Sequence, residues 1–217
     1  MFKKVLSITI IVLLCLVSVA CSRNTPVSNQ KKSIRVSHSE MAPDLSYTLY
    51  CSDAVIRGTV LEKISEGHTN ESGNELNVDG EPIGNAYIIR YKVRVEETFS
   101  GDPVPGSEIV VGAVNYRMIP YEYLNNSNVE FSSDAGLFTL EEGMEGVFCL
   151  NNNRALAKTE AEVGYTVVHD AHGVFTSEDG EHYVSVKGTE FDISELPAVI
   201  EESKAKWDEI MKNTPEI

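Results

Sequence analysis

The sequence predicts a mainly β domain: a small barrel or sandwich of short antiparallel strands, with a helix at either end and a secretory leader in front. Three observations carry this. Residues 86–99 alternate clearly, with Tyr87, Ile89, Tyr91, Val93 and Val95 on one side and Arg90, Lys92, Arg94 and Glu96 on the other. Period two over that length is a half-buried strand. Turn signals separate the apolar runs, among them Gly101-Asp102-Pro103-Val104-Pro105-Gly106 and the hairpin pair Asp179-Gly180. Near the C-terminus, Leu196, Val199, Ile200, Trp207, Ile210 and Met211 recur at helical spacing and form one apolar stripe.

Residues 22–37 are polar and read as a structureless tether. A short helix is expected over 43–50, with Leu45 and Leu49 turned inward. Residues 54–61 read as the first strand, and Gly58 within it marks a bend or a close backbone approach. Residues 63–85 are rich in Gly, Asn and Glu and read as a long loop. After the strand over 86–99 come a third over 108–114 and an irregular stretch over 115–145. Gly146-Val147-Phe148-Cys149-Leu150 is continuously apolar, which predicts burial on both faces. Shorter strands are expected at 164–168, 174–176 and 182–186. For the last helix, Asp192 and Glu195 have capping-box spacing, but Ser194 is the better N-cap because it leaves Pro197 in the first turn. That helix is expected to pack on the sheet.

The leader bounds the location. A basic Met1-Phe2-Lys3-Lys4 precedes the apolar run Val5–Val17, and Ser18-Val19-Ala20-Cys21 places small residues before a cysteine. This is the pattern of a bacterial lipoprotein signal, with Ser18 where a leucine is usual. The run is short of the about 20 apolar residues that span a bilayer. The expected division is a signal over 1–20, a tether over 21–37 and one domain over 38–217, with Cys21 acylated and the protein held at the extracytoplasmic face of the cell membrane.

The formal charge is −15, and without residues 1–20 it becomes −17, from 16 basic against 33 acidic side chains. A surface this negative repels phosphate backbones, so nucleic acid is not an expected partner. It also disfavours independent adhesion to anionic headgroups, leaving attachment to the lipid. Of the four cysteines, Cys15 leaves with the signal and Cys21 takes the lipid. Cys51 and Cys149 are expected as free thiols, although an oxidising exterior also permits a disulfide between them. No CxxC motif is present.

Few residues suggest chemistry. His169 and His172 stand three apart with His182 on the following hairpin, a set that could bind zinc or copper. Glu75, Asn77, Asp79 and Gly80 resemble the opening of a calcium loop, but Ala86 occupies the position of the bidentate Glu. No GxSxG or HExxH pattern is found, no SxxK stands in a recognisable catalytic context, and Cys149 lies in an apolar strand, where a thiol is a poor nucleophile.

Several segments carry a family resemblance. Ser52-Asp53-Ala54-Val55-Ile56-Arg57-Gly58-Thr59-Val60 resembles the ADVVVxGxV opening of a group of poorly characterised bacterial surface lipoproteins. The run Tyr91 to Asp102 resembles their YxVxVxExxKGD strand and turn, Leu140 to Leu150 their LxxGExYLLFL, and Gly173-Val174-Phe175 their QGVF. Their strand pattern is similar to the OB-like barrel of the netrin module and of tissue metalloproteinase inhibitors. The resemblance implies a five-stranded Greek-key barrel. Those inhibitors reach a catalytic zinc with a free N-terminal cysteine amine, whereas Cys21 should be acylated and lies about 30 residues from the barrel.

Together these readings lead to an expectation: a lipid-anchored binding or interaction module without catalysis and without a cofactor, whose partner is a protein or a glycan. The candidate surface is the tyrosine-rich segment with Tyr116, Tyr121, Tyr123 and Phe131. A metal site at His169, His172 and His182, or a protease-inhibitor-like barrel rim, are the alternatives.

Overall fold

The computed structural model describes residues 32–36, 44–115, 129–133, 138–186 and 188–213. The chain divides into two units, Met1–Lys32 and Ser33–Ile217. Of the first only Lys32 is among the described residues, so the signal over 1–20 and Cys21 lie outside them. The second unit is mainly β.

In chain order its elements are β1 (Lys32–Val36), α1 (Leu45–Tyr50), β2 (Ala54–His68), β3 (Tyr87–Ser100), β4 (Glu108–Asn115), β5 (Val129–Ser133), β6 (Glu145–Asn152), β7 (Tyr165–Val167), β8 (Val174–Thr176), β9 (His182–Ser185), β10 (Glu190–Asp192) and α2 (Leu196–Asn213). Strands β1 and β5 form a two-stranded sheet. The other eight form one sheet in the order β10-β9-β8-β6-β2-β3-β4-β7, and a further pairing of β6 with β7 makes it partly ring-like. The sheet is mixed and not wholly antiparallel as the sequence suggested, because β4 and β7 run parallel through Val111–Tyr165 and Gly112–Thr166.

The helices begin where local chemistry allows. The Asp44 carboxylate accepts the Tyr47 N–H at 2.7 Å and caps α1. Helix α2 starts at Leu196, not after an N-cap at Ser194, because residues 192–195 form a turn in which Glu195 N–H donates to Asp192 O at 3.0 Å. Pro197 still falls in the first turn, where its missing N–H is no loss.

Other expectations need correction. The tether contains a strand, β1, at Lys32–Val36, and the irregular stretch over 115–145 contains β5. The loop expected over 63–85 begins only after His68, because the β2–β3 ladder continues from Lys63↔Tyr91 to His68↔Tyr87. There the backbone ladder, not an apolar face, holds the strand, since residues 62–66 are exposed on both sides. Strand β10 has three residues, too few to show a period.

Apolar side chains gather in two clusters. The first takes Ile56 and Val60 from β2, Ile89, Tyr91, Val93 and Val95 from β3, Val111 from β4, Phe148 and Leu150 from β6 and Val167 from β7. The second joins Leu49 of α1, Val55, Val147, Cys149, Phe175, Tyr183, Phe191, and Leu196 and Ile200 of α2. Strand β6 supplies both by alternation, so its burial on two faces, expected from the sequence, is observed. Gly58 marks a close approach, also as expected: a Cβ there would stand 2.6 Å from the Arg94 carbonyl.

The expected faces of β3 hold with one exception. Ile89, Tyr91, Val93 and Val95 are buried, while Lys92 and Arg94 reach water beside Glu62 and Glu96. The Arg90 side chain is only 12% exposed and is paired with Glu162 at 3.6 Å. The connection between β6 and β7 covers it, which the alternation of β3 alone does not reveal. Val93→Ala should destabilise the protein by about 1 to 3 kcal/mol through lost apolar burial, and Lys92→Ala should shift the melting midpoint far less. Thermal melts of the two variants check this, and equal shifts would mean that the faces are misassigned.

Candidate functional site

The three histidines occupy different surroundings. His169 sits just after β7 with a left-handed φ of 52°, the only non-glycine residue with positive φ among the described residues. Its ring stacks on Tyr47 with centroids 5.5 Å apart. His172 lies in the short 3-10 turn Asp170–Gly173 before β8. His182 opens β9 and is engaged across the strand pair with β10: Nδ1 is 2.9 Å from Asp192 Oδ1, and Nε2 is 3.5 Å from Glu190 Oε2. The Asp192 hydrogen bond raises the His182 pKa above the usual histidine range, with Glu190 adding to it. Among the described residues, no group of three or more His, Cys, Asp or Glu side chains is placed to hold a metal ion.

The calcium-like segment is committed to internal contacts. Asn77 Oδ1 accepts the N–H groups of Asp79 and Glu81 at 3.0 and 2.8 Å. Asp79 receives Arg154 Nε at 2.9 Å, while Arg154 also reaches Glu160 at 3.0 Å. Glu75 pairs with Lys158. These contacts join the β2–β3 connection to the β6–β7 connection, together with a Val78 N–H bond to Ala157 O at 2.9 Å. The oxygens of this calcium-like segment thus bind loop N–H groups and side-chain cations.

Asn77 is one of four buried asparagines that close loops. Asn70 Nδ2 donates to Ile83 O at 2.7 Å, and its Oδ1 accepts the Glu75 N–H at 3.2 Å. Asn153 Nδ2 donates to Glu162 O at 3.1 Å, and its Oδ1 accepts the Gly164 N–H at 2.7 Å. Asn115, at the end of β4, accepts the Phe138 N–H at 2.6 Å and donates to Phe138 O at 3.0 Å. One amide thereby satisfies both backbone groups of a residue 23 positions on. These residues escaped the sequence reading. The signal that could have found two of them is an asparagine where an apolar strand ends, as at 115 and 153.

Asn115 and Phe138 flank the tyrosine-rich segment. Tyr116, Tyr121 and Tyr123 lie outside the described residues, and Phe131 lies in β5.

Cys51 and Cys149 are both free thiols. Cys149 is fully buried beneath the helices, and burial pushes its pKa up to about 12 despite a hydrogen bond with Ser52. Cys51 is only half-buried, so it meets solvent in the folded protein. Its hydrogen bond to Tyr47 is the largest cause raising that phenol's pKa.

The sequence also concealed an aromatic cluster between the helices. Trp207 of α2 lies 4.7 Å from Tyr47 and 6.0 Å from Tyr50, centroid to centroid. Its indole N–H donates to Ser46 Oγ at 3.1 Å, and Lys206 Nζ stands 5.6 Å from its ring. The α2 stripe is buried at Leu196 and Ile200 but emerges at Met211, which is 56% exposed.

A cleft of about 570 Å³ borders the β8–β9 hairpin, lined by Thr176, Ser177, Glu178, Asp179, His182 and Val184. Asp179 is the anchor of that turn. The N–H groups of His182 and Glu181 and the Ser177 hydroxyl donate to it and lower its pKa to about 2.

No protein-family model matches this chain, and a search of curated proteins finds no match either.

The His182 contacts predict a pH signature. A raised folded pKa means that stabilisation is complete below the unfolded histidine value of about 6.5 and is lost as pH rises through the higher folded value. His182→Ala should therefore lower the melting midpoint more at about pH 6 than at about pH 9. Melts at both values check it, and the same loss at each would dismiss the charged contact.

Proposed function

We propose that this chain is a lipid-anchored extracytoplasmic binding module, built on an OB-like barrel and without catalytic activity. The support for the barrel is the pairing circuit. β2, β3 and β4 follow one another antiparallel, β4 meets β7 in parallel, and β7 returns through β6 to β2. Five strands in that circuit suit a Greek-key barrel of the OB type. On this reading, the resemblance to bacterial surface lipoproteins extends to the scaffold.

The binding surface is the segment bearing Tyr116, Tyr121, Tyr123 and Phe131, and its partner is a protein or a glycan. The observation that carries this is the stem: two hydrogen bonds, one donated by Asn115 to Phe138 O and one accepted by Asn115 from the Phe138 N–H, tie the segment's ends together at the end of β4. Binding residues concentrate where a rigid scaffold positions them, and tyrosines supply apolar contact with a polar tip. The Cys149 thiol, raised to about 12, is unsuited to nucleophilic attack.

Two experiments test the two halves of the proposal. Cys21→Ala should release the protein from membranes or leave it as unprocessed precursor; a variant still processed and membrane-bound would refute the anchor. Cross-linking on intact cells should capture partners with the native chain, and substantially less with Tyr121→Ala/Tyr123→Ala. Unchanged capture by the double variant would move the binding surface elsewhere.

A further inference from the structure

We draw no further inference here: the strongest candidate, the cluster of His182, Asp192 and Glu190 beside the cleft at the β8–β9 hairpin, belongs to the site already described, where its contacts are those of an ion pair, and no second observation among the described residues points to a ligand there.

Discussion

The fold depends on β6 being buried on both faces. Phe148 and Leu150 enter the cluster shared by β2, β3, β4 and β7, while Val147 and Cys149 enter the cluster beneath the helices. The same strand pairs with β2, β7 and β8, so it links the ring-like part of the sheet to the β8–β10 extension. A polar side chain at any of these four positions would be desolvated on one face or the other, at a cost of several kcal/mol if left without a partner. Gly146, where the strand begins, allows the β8 backbone to approach: a Cβ would stand 2.7 Å from the Phe175 carbonyl.

Around this apolar centre, polar side chains shape the connections. Three buried asparagines, Asn70, Asn115 and Asn153, each offer a donor and an acceptor to backbone groups that would otherwise lose water without compensation. Their geometry is two-sided: Asn153 meets both Glu162 and Gly164, as Asn115 meets both groups of Phe138. Arg154 and Lys158 then join two connections that are distant in sequence, through Asp79 and Glu75, while Glu160 braces Arg154 within its own connection. These ion pairs are largely exposed, so their part is to set loop position more than to add stability. An acidic chain can thereby keep its long connections ordered while its net charge stays strongly negative.

The helices do more than cap a sheet. Helix α1 is too short to be stable alone. Leu49 is buried against the second cluster, and Ser46, Tyr47 and Tyr50 meet Trp207. Helix α2 is anchored at its start by Leu196 and Ile200 and follows directly from β10, which His182 holds through Asp192. Strand, ion pair and helix thus form a continuous C-terminal unit on the outer face of β6.

Much of the architecture was legible in the residues themselves. Alternation from Tyr87 to Val95 marked β3 and its faces, the unbroken apolar run marked β6, and Asp179-Gly180 marked the turn between β8 and β9. These signals are local: a period or a turn dipeptide reports its own environment whatever packs on it. The candidate chemistry was less legible, because it depends on residues meeting across the chain. His182 faces β10 carboxylates in a strand pair too short to show a pattern, Arg90 is covered by a distant connection, and Asp79 meets Arg154 after 75 residues. The parallel pairing of β4 with β7 and the meeting of Trp207 with α1 are of the same kind. By itself the sequence determined the strand periods and the polar-apolar faces, since each follows from spacing. Tertiary structure alone decided which edges pair, which charges are covered and which aromatics meet, since those depend on contacts between residues far apart in the chain.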